Sequence, residues 1–342
     1  MSDVRPIDAH ARSPEIDLSI RAAWLYYVHG LGQEEVARRL NLSRSKVTRL
    51  LSQAREAGFV KVSVEHETVE SLALADWISN HFGVEEVILT PFARPEIADR
   101  AAADRAGRQA VGIVAANHIA RRLLASGRIT VGLGWGRTVS EMITALPALS
   151  KPDLTLVSLL GASSNDDGSG SYSLALKFAA ATGGRAHTFA APLIVDDPAV
   201  AALLRQDGAI RETLAIAADS DFHILGVGDV SMDNLYFAAA GLGSETIRGL
   251  KEVGAVCEIA GRFLDRNGRP AATPLNDRTL GIDHETLVAA DVIVLAAGRR
   301  KAEPLEALLK AGIPRTIIID DEVAQALAER AARRGEPAPA SA

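Results

Sequence analysis

Apolar residues are spaced in two ways along the chain. Up to Ala54 they recur every three or four residues, the period of a helix. Beyond Val84, short apolar runs alternate with such helical stretches. In the first region Ile20, Ala23, Trp24, Tyr27 and Val28 predict a helix over 16–29, ended by Gly30 and Gly32. Trp24 is expected in the core, packed under the helices that follow. Gln33 to Leu40 carries Val36, Ala37 and Leu40 on one face. Asn41 and Leu42 make a turn, and Ser43 stands where an N-cap belongs, its hydroxyl accepting from an orphan N–H of the next helix. In that helix Val47, Leu50, Leu51 and Ala54 form one apolar stripe. A step of about 100° per residue puts Ser45, Arg49 and Ser52 on the opposite face, flanked by Lys46, Thr48 and Gln53. The sum is a helix-turn-helix. Residues 59–64 (FVKVSV) alternate like a short strand and would form a wing beside it.

Residues 69–82 place Leu72, Ala75, Trp77, Ile78 and Phe82 at helical spacing, and a helix connecting two domains is expected there. Strands are predicted over 84–89, 129–133, 154–160, 222–227, 255–259, 292–296 and 316–319, with an extended segment at 187–189. Helices are predicted over 105–125, 139–146, 173–182, 198–204, 210–218, 244–253, 286–289, 301–311 and 322–333. Runs such as VIVLAAG are apolar at almost every position and suit strands buried on both faces. The alternation gives the fold class: α/β, with an N-terminal helix-turn-helix (winged-helix-like) domain before a Rossmann-like, mainly parallel α/β effector domain. The expected boundaries are a disordered arm over 1–15, the helix-turn-helix over 16–65, a linker helix over 66–83, the effector domain over 84–334 and a disordered tail over 335–342.

Charge sharpens this picture. The chain has 342 residues, enough for two domains, and a net charge of −6, which argues against coating nucleic acid broadly. Yet between Val36 and Val62 the cations Arg38, Arg39, Arg44, Lys46, Arg49, Arg55 and Lys61 stand against Glu56 alone. A basic patch on an acidic chain is the footprint of a polyanion. Arginine can bond guanine O6 and N7 in a major groove, while lysine and hydroxyl groups hold phosphates. The candidate DNA contacts are Gln33, Ser43, Arg44, Ser45, Lys46, Thr48, Arg49 and Arg55. The alternatives are a helical hairpin with a solvated charged face, or one that contacts only protein. A single cysteine, Cys257, excludes an intramolecular disulfide and is expected to be a buried small hydrophobe. With no signal peptide and no apolar run of bilayer-spanning length, a cytoplasmic protein is expected.

In an open parallel sheet, ligands gather at the carboxyl ends of strands, beside helix N-termini. Four strand ends qualify. After 129–133 come Gly134, Trp135, Gly136, Arg137 and Thr138; the glycines would let backbone N–H groups approach an anion, Arg137 adds a cation, and Thr138 is expected to cap the next helix. The spacing is neither a Walker loop nor a dinucleotide fingerprint. After 154–160, Gly161, Ser163, Ser164 and Asn165 offer small polar groups suited to polyol hydroxyls, or a plain loop. Lys301 follows VIVLAA near a helix start, an unusual place for a cation unless it meets an anion; a solvated lysine is the alternative. Gly226-Val227-Gly228 with Asp229 is the fourth. There is no His/Cys/Asp set at metal spacing, no Gly-x-Ser-x-Gly elbow and no cysteine suited to catalysis, so no catalytic residue, metal or cofactor is assigned. The pairs Asp166/Asp167 and Asp196/Asp197 are read as turn or cap residues before acid–base groups.

Several segments, in order, carry a family resemblance: WLYYVHGLGQEEVARRLNLSRSKVTRLLSQAREAGFVKV, then VGLGWGRTV, LLGASS, ATGGRAHTFAAPL, LGVGD, GAVCEIAGRFLDRNG and VLAAGRRKAEPLEALLKAG. Through them residues 18–330 resemble the SorC family of bacterial sugar-responsive transcription regulators. The resemblance implies an effector domain similar to sugar-phosphate isomerases and glucosamine-phosphate deaminases. It also implies a homo-oligomer, dimer or tetramer, whose affinity for operator DNA is set by a sugar, polyol or sugar phosphate. It maps the family's glycine-rich loop onto Gly134 to Thr138 and its C-terminal lysine onto Lys301. Glu258 stands where many members have an aspartate. The expected function is DNA-binding regulation of a carbohydrate or polyol catabolic operon. The alternative is a sugar-phosphate isomerase- or deaminase-like enzyme with an appended DNA-binding module.

Overall fold

The structure is a computed structural model that describes residues 14–60, 69–90, 99–163, 165 and 168–337. The chain divides into two compact units, Met1–Val64 and Glu65–Ala342. In the first unit α1 (Pro14–Ala23) runs into a π-helical turn, Trp24–Val28, followed by α2 (Gln33–Leu40) and α3 (Arg44–Glu56). The helix is already formed at Pro14 and Glu15, which the sequence places in the arm. The expected wing falls mostly on 61–64, outside the described residues, as does most of the expected tail.

The turn between α2 and α3 forms for local reasons. Asn41 takes the left-handed conformation at φ 55°, and the N–H of Leu42 reaches back to the Ala37 carbonyl at 2.9 Å. The Ser43 hydroxyl then accepts from the Lys46 N–H at 3.2 Å and caps α3. Ala22, Val36, Val47, Leu50 and Ala54 are fully buried together. Trp24 is not among them. It is 58% exposed, and its indole N–H donates to His29 Nε2 at 3.1 Å. The buried face of the first helix is Ser19, Ala22 and Ala23, with Leu18, Leu25 and Tyr26 packed beside it. The bulkier stripe of Ile20, Trp24, Tyr27 and Val28 has the right period but the wrong phase, and among these Trp24, Tyr27 and Val28 are exposed.

Among the described residues the second unit has ten strands: β1 (Glu86–Leu89), β2 (Ile129–Leu133), β3 (Leu154–Ser158), β4 (Arg185–His187), β5 (Phe222–Gly226), β6 (Gly228–Asp229), β7 (Ala255–Ile259), β8 (Arg262–Asp265), β9 (Val292–Ala296) and β10 (Pro314–Ile319). Seven form one parallel sheet in the order β1-β10-β9-β5-β2-β3-β4. Successive residues of β9 serve opposite faces: Val292, Val294 and Ala296 enter one core, Ile293 and Leu295 the other. The chain winds outward through β2, β3 and β4, then returns to β5 on the other side of β2 and continues to β9 and β10. The winding direction therefore reverses between β2 and β5, and the carboxyl ends of these strands open a crevice there. The helix Val69–Phe82 packs on β1 and on the helix Asp321–Arg333.

A second, antiparallel sheet of β6, β7 and β8 stands apart from the parallel one, and β6 and β8 were not expected. β7 turns into β8 through Ala260 and Gly261, at φ 46° and 70°, a two-residue hairpin with both residues left-handed. Arg262 opens β8 and is buried, its guanidinium donating to the carbonyls of Ile282, Asn276 and Gly281. Cys257 in β7 is fully buried. Among the described residues no helix is long and apolar enough to cross a membrane.

The first unit is small, and small domains bury a smaller share of their surface. Leu50→Ala removes a fully buried side chain there and should cost about 2–5 kcal/mol. In scanning calorimetry the transition of the first unit should fall or vanish while that of the larger unit holds its temperature. An unchanged first transition would mean that Leu50 does not support the fold.

Candidate functional site

The crevice between β2 and β5 is a cavity of about 660 Å³. The end of β2 supplies Trp135, Gly136, Arg137 and Thr138, and the end of β5 supplies Gly226 to Asp229. β7 adds Glu258, the end of β9 adds Gly298 to Lys301, and the helix Arg100–Ala125 adds Arg100 and Arg108.

Glycine shapes the opening. A Cβ on Gly134 would lie 2.1 Å from Leu225 Cδ2, and one on Gly228 2.3 Å from Asn234 Nδ2. Gly136, at φ 141°, is the N-cap of the helix Arg137–Ala145. Thr138 therefore does not cap this helix; it lies one residue inside it, because the chain becomes helical at Arg137. The first-turn N–H groups of a helix have no partner within it and suit an anion. Here that turn forms part of the cavity wall.

The charges fall into two sets. Lys301 donates to Asp229 Oδ1 at 3.1 Å, and Arg300 to Asp233 Oδ2 at 2.7 Å. Burial raises the Asp229 carboxyl, but the Lys301 ammonium, a backbone hydrogen bond and Arg300 together outweigh it and hold that carboxyl below its ordinary range. Arg108 and Arg137 form the other set. Among the described residues Arg137 donates to a backbone carbonyl, that of Asp233, at 2.7 Å. The Nε of Arg108 is buried with no hydrogen-bond partner among the described residues. Burial, and then the like charge of Arg137, lower the Arg108 guanidinium below its ordinary value, and the carboxylates of Asp104 and Glu141 offset this in part. Two cations thus press on one another beside a helix N-terminus.

Glu258 lies at the base of the cavity, fully buried. It accepts from the Gly261 N–H at 2.8 Å, the Trp135 indole at 3.4 Å and the Asn234 amide at 3.3 Å. Burial pushes its carboxyl up despite these donors.

Of the expected effector residues, Trp135, Gly136, Arg137, Thr138, Asp229, Glu258 and Lys301 meet in this one cavity. Gly134 sits beneath it, its N–H bound to the Ile224 carbonyl at 2.9 Å. Gly161, Ser163 and Asn165 line a smaller pocket of about 130 Å³, which shares Trp135 and Leu235 with the first. Ser163 is engaged there, donating to the Ala239 carbonyl at 2.6 Å. Ser164, Asp166 and Asp167 lie outside the described residues. Asp197 caps the helix Pro198–Gln206 and Asp196 pairs with Arg278, as turn and cap residues do. Arg100, Arg108 and Asn234 were not singled out by sequence; the two arginines, from the long helix, follow no strand end and no glycine signal. Among the described residues no three His, Cys, Asp or Glu gather as a metal site.

In the first unit, Ser43, Arg44, Ser45, Thr48, Arg49 and Arg55 are exposed, Lys46 and Gln33 half-exposed. Gln33 Oε1 accepts from the Thr48 hydroxyl at 3.1 Å. The cations are less free than their count suggests. Glu15 of α1 accepts from Lys46 at 2.9 Å and Arg49 at 3.3 Å, and Glu34 faces Arg44 at 3.6 Å. The hydrogen bond from Lys46 is the main reason the Glu15 carboxyl is lowered. These acids precede the basic stretch in sequence and fold back onto it.

The model of the sugar-binding domain family matches residues 66–329. The chain is 26% identical over 310 residues to the erythritol catabolism regulatory protein EryD of Brucella abortus, covering 91% of this chain and 96% of that one. It is 27% identical over 315 residues to the deoxyribonucleoside regulator of Bacillus subtilis, with coverage of 91% and 96%. In fold it matches the full-length sorbitol operon regulator SorC from Klebsiella pneumoniae with a TM-score of 0.66 at 24% identity, over 92% of this chain and 99% of that one. A DeoR family transcriptional regulator from Listeria monocytogenes matches with a TM-score of 0.68 at 25% identity, over 75% and 99%. With a sugar-binding domain covering most of its length behind a helix-turn-helix, the chain belongs to the SorC family of sugar-binding transcriptional regulators.

Proposed function

We propose that this regulator acts in the cytoplasm as a homo-oligomer, binds a partly palindromic operator through α3, and changes its hold on that operator when a phosphorylated sugar or polyol fills the β2–β5 cavity. One observation carries the choice of effector: Arg108 and Arg137 line the same cavity as a glycine-capped helix N-terminus, and among the described residues no carboxylate is hydrogen-bonded to either. A phosphate supplies the missing acceptors. Asp229, Asn234 and Glu258 lie across the cavity and suit the hydroxyls of the carbon chain. A volume of about 660 Å³ admits a ligand of this size. The relatives named for erythritol and deoxyribonucleoside regulation support control of carbohydrate or polyol catabolism.

The chain is read as a binder and not as an isomerase or deaminase. Asp229 and Glu258 already accept hydrogen bonds from the chain's own donors, which leaves neither poised to move a substrate proton. Turnover of ribose 5-phosphate or glucosamine 6-phosphate by the purified protein would overturn this.

A thermal-shift titration with pentitols, hexitols, aldoses and ketoses, each with and without its phosphate, tests the effector class. The phosphorylated member should stabilise, by about 2.7 kcal/mol at a hundredfold excess over Kd. Arg137→Ala and Arg108→Ala should each weaken that ligand by about 1.5–3 kcal/mol, the scale of a hydrogen bond to a charged group. Equal stabilisation by the free polyol would sink the phosphate assignment.

Operator binding is tested on α3. Arg49→Ala should weaken it by about 1–3 kcal/mol if Arg49 reads a base. Glu15→Gln should act in the opposite direction, because it removes the anion that competes with DNA for Lys46 and Arg49. A few-fold tighter complex in fluorescence anisotropy is expected; weaker binding by a folded Glu15→Gln protein would show that Glu15 positions these cations for DNA.

A further inference from the structure

A second cavity, of about 610 Å³, opens beside the first. Its rim carries Lys251, Arg266, Arg299, Arg300, Arg330 and Arg333 against only Asp229 and Glu303. Three of the cations are committed: Arg299 to Glu329, Arg300 to Asp233, and Arg330 to Glu303 and Glu306. Lys251, Arg266 and Arg333 are exposed and make no ion pair among the described residues. Lys251 and Arg333 lie in the last turns of the helices Ser244–Glu252 and Asp321–Arg333, where the helix dipole tolerates a cation without a counter-ion. The floor is different in kind. Val230, Ala255, Ala302 and Ala326 are buried and apolar.

We propose that this second cavity binds a small organic molecule carrying two or more phosphate or carboxylate groups, its carbon frame on the apolar floor and its charges on Lys251, Arg266 and Arg333. A recess of about 610 Å³ with some apolar wall beneath its cations fits a small molecule better than a DNA backbone, which offers no apolar frame.

The two cavities share Asp229, Arg299 and Arg300. Anions in the two cavities would lie on either side of these shared residues and repel one another, so each weakens the other, and by linkage the effect is reciprocal. This coupling, unlike the site itself, rests on reading the first cavity as the effector site. The second ligand would then act as an antagonist of the effector.

Isothermal titration of the full chain with inorganic pyrophosphate, and separately with citrate, tests the site and tells phosphate from carboxylate preference. The wild type should take up two pyrophosphates per chain. Arg266→Gln/Arg333→Gln should lose one of them, by at least tenfold in affinity, and keep the other. Arg108→Gln/Arg137→Gln should show the converse loss. The first-cavity affinity should be several-fold tighter in Arg266→Gln/Arg333→Gln than in the wild type with its second cavity filled. One pyrophosphate per chain, removed by Arg108→Gln/Arg137→Gln and untouched by Arg266→Gln/Arg333→Gln, overturns the proposal while leaving the effector reading intact. Loss only with Arg266→Gln/Arg333→Gln overturns the effector phosphate instead. If that double variant changes the oligomeric state in sedimentation and no second pyrophosphate binds, the rim faces a second copy of the chain and the proposal fails.

Discussion

The close approach of the backbones after β2 and β5 is the constraint on which the second unit's site depends. No side chain fits on Gly134 above Leu225, and a Cβ on Gly226 would stand 3.0 Å from the Trp135 carbonyl oxygen. Because these two strands lie where the sheet reverses its winding, the loops that leave them diverge and the space between them stays open. The same tight passage sends the chain into a helix at Arg137 with only Gly136 before it. The orphan N–H groups of that helix are thereby aimed at the opening without a side-chain cap to occupy them. A serine or aspartate at position 136 would close the helix end with its own oxygen and would also be strained at φ 141°.

Electrostatics follow one plan in both units. Cations that would contact an external anion are held meanwhile by the chain's own acids, as Lys46 and Arg49 are by Glu15 and Lys301 is by Asp229. Pairing keeps long side chains in place and lowers the entropy lost on binding, yet each pair must be broken or shared when the ligand arrives. Exposed pairs such as those of Glu15 are weak and easily exchanged for phosphate. The Asp229–Lys301 pair is more buried and holds more firmly, so Lys301 is better suited to orient a ligand than to neutralise it. Arg108 and Arg137 differ in that, among the described residues, no acid is hydrogen-bonded to either, although Asp104 and Glu141 lie close enough to offset part of the charge on Arg108.

The legible parts of the sequence were those whose signal is local. The ends of α2 and α3 could be read because Asn41 and Ser43 are turn and cap residues, and β2, β7 and β9 because their apolar runs have clean edges. The seven residues of the first cavity could be found because each follows a strand end or matches a family segment. What escaped depends on phase or on distance. Trp24 is large and periodic, but a π turn and the smaller Ala22 and Ala23 decide which face of that helix is buried. The β7–β8 hairpin turns on alanine and glycine and begins β8 with an arginine, so neither its turn nor its strand looks typical. Arg108 lies in the body of a long helix, and only the fold brings it to the glycine turn. Glu15 likewise reaches Lys46 and Arg49 across thirty or so positions.

The unmatched pair of guanidiniums also bears on how sharply the effector is chosen. A free polyol and its phosphate offer the same hydroxyls to Asp229, Asn234 and Glu258, so those residues alone cannot separate the two. Discrimination must come from groups that one ligand satisfies and the other leaves stranded. Arg108 is such a group. Its Nε is already out of water with no partner among the described residues, and Arg137 opposes its charge more than Asp104 or Glu141 supports it. A hydroxyl offers it one weak acceptor and no charge. A phosphate offers three acceptor oxygens and nearly two negative charges, which relieves both the lost hydrogen bond and the repulsion at once. If the cavity is the effector site as proposed, these two guanidiniums would bias it against the unphosphorylated molecule.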